Sequence, residues 1–325
     1  MRMEIMINMK KLSRFFIAIC FSFLLFGCSD KTESAESSTK QSIQSPLVFQ
    51  HNEQEFKVYT YYEEFENFLE SAKKQPDNLD ALYTQAVVEA FRSNPGYAFL
   101  EDNWMLTTPT DIEELEKTID ALIDKQKLIT DSIVAALKES ADRLPGGNKS
   151  VYLLPFLPEF KPDLKVMNYV TGEAWNKNTI IITIDPLFLV DDLQYTIAHE
   201  YHHVVAMEYR DSYTLLERSV LEGKADAFAK MVYPNVQVPW IEPLTGYSEE
   251  QGRKLFIENL DSTDTGLWYE FFKGNHYRGL DVWSNYKIGH EIMEGFLEKN
   301  PDVPVEEWTQ MPAEDILLKS EYKDK

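Results

Sequence analysis

The chain has 325 residues, 44% hydrophobic, 13% aromatic and 26% charged, and its formal net charge is −22. That apolar content supports a core of domain size and excludes disorder over most of the length. The acidity excludes nucleic acid and anionic lipid as partners held by charge, and suits the surface of an exported protein.

Lys10, Lys11 and Arg14 form a basic segment ahead of an apolar run from Phe15 to Gly27. The run has the length of a signal-peptide core and falls short of the roughly 20 apolar residues of a membrane span. It ends in Leu25-Phe26-Gly27-Cys28, which resembles a bacterial lipobox, although Phe26 is larger than the usual residue there. Residues 1–27 are therefore expected to be a lipoprotein signal peptide, with Cys28 lipidated. Cys20 leaves with the signal, so the mature chain keeps no pair of thiols for a disulfide. The expected location is extracytoplasmic, anchored by lipid to the bacterial cell membrane.

Residues 28–47 are rich in Ser, Thr, Lys, Gln and Glu, lack aromatics, and read as a flexible tether. Residues 48–150 read as an N-terminal helical part. Tyr62 to Lys74 and Leu79 to Phe91 carry apolar residues at three- and four-residue spacing. A longer helix follows Thr110-Asp111 and stops at Gly146-Gly147, with Thr110 and Glu113 as a capping box. No motif in this part carries chemistry.

Residues 151–325 change character and form the expected catalytic part. Val151 to Phe156 and the β-branched run Thr179 to Ile184 read as strands. Helices are expected from about Asp191 to Tyr209 and from Tyr213 to Val232, where Pro234 stops the second. Val282 to Lys299 and Ala313 to Tyr322 are also expected to be helical. The fold class is α+β, mostly helical, with a small sheet beside the central helices.

The chemistry sits in His199-Glu200-Tyr201-His202-His203, an H-E-x-x-H motif within helical sequence. Residues four apart share a helix face, so His199 and His203 can aim imidazoles at one ion. Glu200 lies one position round, placed to act as general base on water without ligating the metal. Nineteen positions after His203 comes Glu222, and Asp226 follows one turn later. Glu222 supplies a third ligand, and Asp226 accepts the N–H of a ligand histidine. Three protein ligands with a fourth position open is the arrangement of catalytic zinc. His202 is a rival for the second ligand at i+3, and Glu217 a rival for the third.

The pairing His199-Glu200-x-x-His203 with Glu222-x-x-x-Asp226 resembles the gluzincin pattern of thermolysin-like peptidases and the M1 aminopeptidases. More narrowly, AHEYHH followed by LLERSVLEGKADAFA, with a later NYKIGHEIM, is similar to the predicted Zn-dependent proteases of the DUF2268 family. The resemblance spans roughly residues 150–322. It implies a zincin-like metallopeptidase core, Zn2+ held by His199, His203 and Glu222, and Glu200 as base. Related enzymes take an oxyanion donor from a downstream Tyr or His. Tyr286 and His290 are the leading candidates here, with His276 and Tyr277 behind them. Ala174-Trp175-Asn176 is the nearest match to a substrate-binding edge strand. Asp261 to Asp264 reads as a solvated acidic loop rather than a calcium site.

The expected function is zinc-dependent hydrolysis of a peptide or protein substrate at the outer face of a bacterial membrane. The alternative is a metal- or peptide-binding lipoprotein on a catalytically silent peptidase scaffold. Glu200 argues against the alternative, since pure metal binding does not need it.

Overall fold

The computed structural model describes residues 45–94 and 107–322. The expected signal peptide, Cys28 and nearly all of the tether lie outside the described residues. Five strands form one mixed sheet in the order β1-β2-β3-β5-β4. They are β1 (Leu47–His51), β2 (Gln54–Thr60), β3 (Lys149–Pro155), β4 (Val170–Asn176) and β5 (Thr179–Ile184). β2, β3 and β5 run parallel, while β1 and β4 pair antiparallel at the two edges. β5 is buried at every residue, because both its faces and both its backbone edges are covered.

Helices make up most of the rest, so the chain is α+β with a small mixed sheet. α1 (Tyr62–Lys74) precedes α2 (Leu79–Tyr83), a π-helical stretch (Thr84–Val88) and α3 (Glu89–Arg92). α4 (Ile112–Asp124) packs on α1, and α5 (Gln126–Arg143) packs on α6 (Val190–Ala206). α7 (Leu215–Val232) lies against α6 and against α10 (Ser284–Lys299). α8 (Gly246–Glu258), α9 (Thr265–Lys273), α11 (Val305–Gln310) and α12 (Ala313–Ser320) complete the set. No helix among the described residues is long and apolar enough to cross a membrane.

Several sequence expectations change in detail. Residues 47–60 form the β1–β2 hairpin, which the helical reading of the N-terminal part did not foresee. The long helix after Thr110 is two helices that break at Lys125. Its cap is Asp111, whose carboxylate accepts from the Glu114 amide at 3.0 Å. Thr110 instead donates both its amide, at 2.6 Å, and its hydroxyl, at 2.7 Å, to Glu159. A tertiary partner thus outcompetes the local box, because Glu159 satisfies both donors with one oxygen.

α6 begins with Asp191 and Asp192, carboxylates that favour the positive end of the helix dipole. Beyond Asp191 every residue but Gln194 is buried, so α6 is the central helix of the molecule. α7 opens with a complete capping box between Thr214 and Glu217. Lys224, buried on α7, donates to the carbonyls of Thr309 at 3.0 Å and Met311 at 2.8 Å, which fastens the C-terminal segment to the core.

Candidate active site

His199 and His203 lie one turn apart on α6, and both are buried. Glu222 comes from α7, which packs directly on α6. His203 Nε2 lies 3.0 Å from His199 Nε2 and 3.1 Å from the Glu222 carboxylate. His199 Nε2 is 3.3 Å from the same carboxylate oxygen. The three side chains form the one group of metal-ligand type found among the described residues.

The donor set fits a divalent ion. His199 Nδ1 lies 3.0 Å from Asp226 Oδ1, a carboxylate that takes the ring proton on that side. Nε2 therefore faces a second imidazole nitrogen and a carboxylate, and is the ring atom that gives up its proton to become a lone pair when a metal binds. Three such atoms in mutual contact are held together by a proton or a metal cation among them, and the set of two imidazoles and a carboxylate suits a divalent ion. Ligands about 2.0–2.1 Å from a tetrahedral zinc stand about 3.3 Å apart, which is close to the separations here.

Asp226 is fully buried and holds more than one partner in place. Its Oδ1 also accepts from the Tyr195 hydroxyl and the Trp240 indole, each at 3.0 Å. Tyr195 and Trp240 were not among the sequence candidates. Tyr195 was legible in principle, lying one turn before His199 on the same face. Trp240 was not, because it reaches the site from beyond the end of α7 with no periodicity linking it.

Glu200 is buried between α6 and the edge strand β4. A Cβ built on Gly172 of β4 would overlap Glu200, coming within 2.6 Å of its Oε1 and 2.7 Å of its Cδ. The glycine therefore makes room for the carboxylate. Ala174-Trp175-Asn176 belongs to this same strand, which is antiparallel to β5 and has no strand partner on its other side among the described residues.

Electrostatics follow from this packing. Burial raises the Glu200 carboxyl, and it does so against the lowering influence of His199 and His203. For Glu222 burial pushes upward, but the two histidines outweigh it and hold the carboxyl at about 2. His199 shows the converse. Burial pulls it down, and Asp226, with Glu222 and Glu200 behind it, lifts it well above an ordinary imidazole. Glu222 is thus an anion at every working pH, as a metal ligand must be.

Tyr286, on α10, faces the same centre. Its ring stacks on His199 with centroids 6.4 Å apart and planes 13° off parallel. Burial, then the nearby carboxylates of Glu222, Glu200 and Asp226, raise its hydroxyl well above an ordinary phenol and keep it protonated.

The other candidates fall elsewhere. His290 places Nε2 3.3 Å from Glu294 and lines a cavity of about 460 Å3 with Lys165, Lys230 and Glu242, which none of the three ligand side chains lines. His202 is fully buried, stacks on Trp308 and pairs with the Thr309 hydroxyl at 3.2 Å, so it faces away from His199 and Glu222. Glu217 is committed to the amides of Tyr213 and Thr214, each at 2.9 Å, and caps its own helix. His276 and Tyr277 lie in an exposed turn.

Two imidazoles and a carboxylate converge inside a helical core, beside a further buried carboxylate, and form a group that could hold a metal ion, with the donor types used by metal-dependent hydrolases. The family model described as Predicted Zn-dependent protease (DUF2268) matches residues 129–318, and the chain belongs to that family. No curated protein and no solved structure gives a significant match to the chain.

Proposed function

We propose that this chain is a zinc metallopeptidase with a zincin-like core, in which β4 is the strand that a peptide lies along. The observation that carries the reading is the 3.0–3.3 Å convergence of His199, His203 and Glu222 beside Glu200. A zinc ion held there supplies Lewis acidity and makes water acidic enough for a carboxylate to deprotonate. Glu200 accepts that proton and passes it to the leaving amine. Its burial suits the task, because it moves the carboxyl from its usual range toward neutrality. Tyr286 holds a proton at its hydroxyl and donates a hydrogen bond to the oxyanion that develops on the substrate carbonyl. Asp226 orients His199 and fixes its tautomer. His290 enters this scheme through its place on α10, one turn beyond Tyr286, and not through contact with the ligands.

β4 is an edge strand with no strand partner on its outer side among the described residues, and an extended chain can add there by backbone pairing without regard to sequence. The substrate is a peptide or protein. Its location follows from the N-terminal reading: Cys28 carries lipid and residues 29–47 hold the domain off the outer face of the membrane.

The test combines metal analysis with a cleavage screen. Wild-type protein should hold one zinc and cleave members of a peptide library. Glu200→Gln should keep the zinc and lose hydrolysis, and His199→Ala should lose both. Zinc without cleavage in the wild type would move the reading to a peptide- or metal-binding lipoprotein. Full activity in Glu200→Gln would remove the assigned mechanism.

A further inference from the structure

Arg218 lies on α7 four residues before Glu222, so the two side chains share a helix face about 6 Å apart along the axis. Its guanidinium sits over the Trp268 ring, 5.3 Å from the centroid. Trp268 stacks on Phe272 at 5.4 Å, Phe272 meets Tyr286 at 6.1 Å, and Tyr286 stacks on His199. Arg218 therefore lies one helical turn from Glu222 on α7 and at the far end of an aromatic wall that leads through Tyr286 to His199.

It is only partly exposed, yet no carboxylate lies within ion-pair distance of it among the described residues. In a chain with 54 acidic against 32 basic residues, a half-buried guanidinium without an anion is unusual. The adjacent Glu217 does not serve, since it caps α7. A guanidinium offers five donors in a planar fork shaped for a carboxylate, and its cation–π contact with Trp268 limits its freedom.

We propose that Arg218 is a specificity residue that binds a carboxylate of the substrate peptide. The inference rests on the peptidase reading above. That carboxylate is accepted at the one position along the peptide that reaches Arg218. Its source is either an acidic side chain or the peptide's own C-terminal carboxylate, and the second would make the enzyme act near chain ends.

Matched peptides decide between these sources: Glu against Gln at each position, and free against amidated C-termini. Two measurements are made on each pair. Cleavage by wild-type protein gives a kcat/KM ratio, and calorimetric binding to zinc-loaded Glu200→Gln gives a Kd ratio that needs no turnover. A charge-assisted bidentate contact predicts a preference of roughly tenfold to a hundredfold at one position. Adding Arg218→Met, which keeps an unbranched side chain against Trp268, should bring the ratio near one, and Arg218→Lys should restore part of it. Zinc content should not change in either variant. A preference untouched by Arg218→Met, or no carboxylate preference in the Kd measurement, overturns the proposal. Binding preference without cleavage in the wild type would keep the Arg218 assignment while refuting the peptidase reading.

Discussion

Gly223 and Gly289 bring α7 and α10 together backbone to backbone. A Cβ on Gly223 would overlap the Gly289 carbonyl and come 2.9 Å from the His290 amide nitrogen. One on Gly289 would overlap the Ser219 carbonyl. Gly223 directly follows the ligand Glu222, and Gly289 lies three residues after Tyr286. This crossing therefore sets how close the phenol approaches the metal centre.

Gly223→Ala should force the two helices apart. Overpacking of this kind costs about 1–3 kcal/mol, and more when the clash is with backbone. Thermal unfolding should show the loss, and zinc titration should show weaker binding because Glu222 moves with its helix. Unaltered stability and zinc affinity would mean that the contact is looser than described.

Gly172→Ala tests the approach of β4 to Glu200. The added methyl displaces the carboxylate by contact, while the three ligands lie on other elements. Zinc content should stay at one per chain, and kcat should fall about a hundredfold, as for a roughly 1 Å displacement of a reacting group. Loss of zinc in parallel would show that β4 supports the ligands and not the base alone.

Asp226→Asn should weaken zinc binding about 10- to 100-fold, the usual effect of altering the partner of a ligand histidine. The amide can still accept from Tyr195 or Trp240, so folding should survive. Competition with a chelator measures the change, and an unchanged zinc affinity would deny Asp226 its orienting role.

The pH dependence of metal uptake follows from His199. Its proton is held above the ordinary imidazole range in the metal-free chain, because Asp226 and Glu222 outweigh burial. Zinc must displace that proton, so affinity should fall as pH drops and should begin to do so above pH 6.5. Stability of the metal-free chain carries the opposite sign. A raised folded pKa stabilises fully below the unfolded value, and that contribution is lost as pH rises through the folded one. Zinc titrations and chemical denaturation of metal-free protein across pH 5 to 9 should thus move in opposite directions. Metal affinity independent of pH in that window would contradict the charge assigned to His199.

By itself the sequence determined the centre's helical parts. His199, Glu200 and His203 fall on one helix through fixed spacing, and Glu222 and Asp226 fall one turn apart on the next. Local periodicity encodes such relations, because the helix repeat places residues without help from the rest of the chain. β5 was legible for a similar reason, since an unbroken β-branched run suits a strand covered on both sides. Only the tertiary structure decided which histidine faces away, that Glu217 is consumed as a cap, and that Trp240 joins Tyr195 on Asp226. It likewise decided that Gly172 yields space to Glu200 and that Gly223 meets Gly289. These are contacts between segments far apart in the chain, and a clash or a shared hydrogen-bond acceptor exists only once both partners are in place.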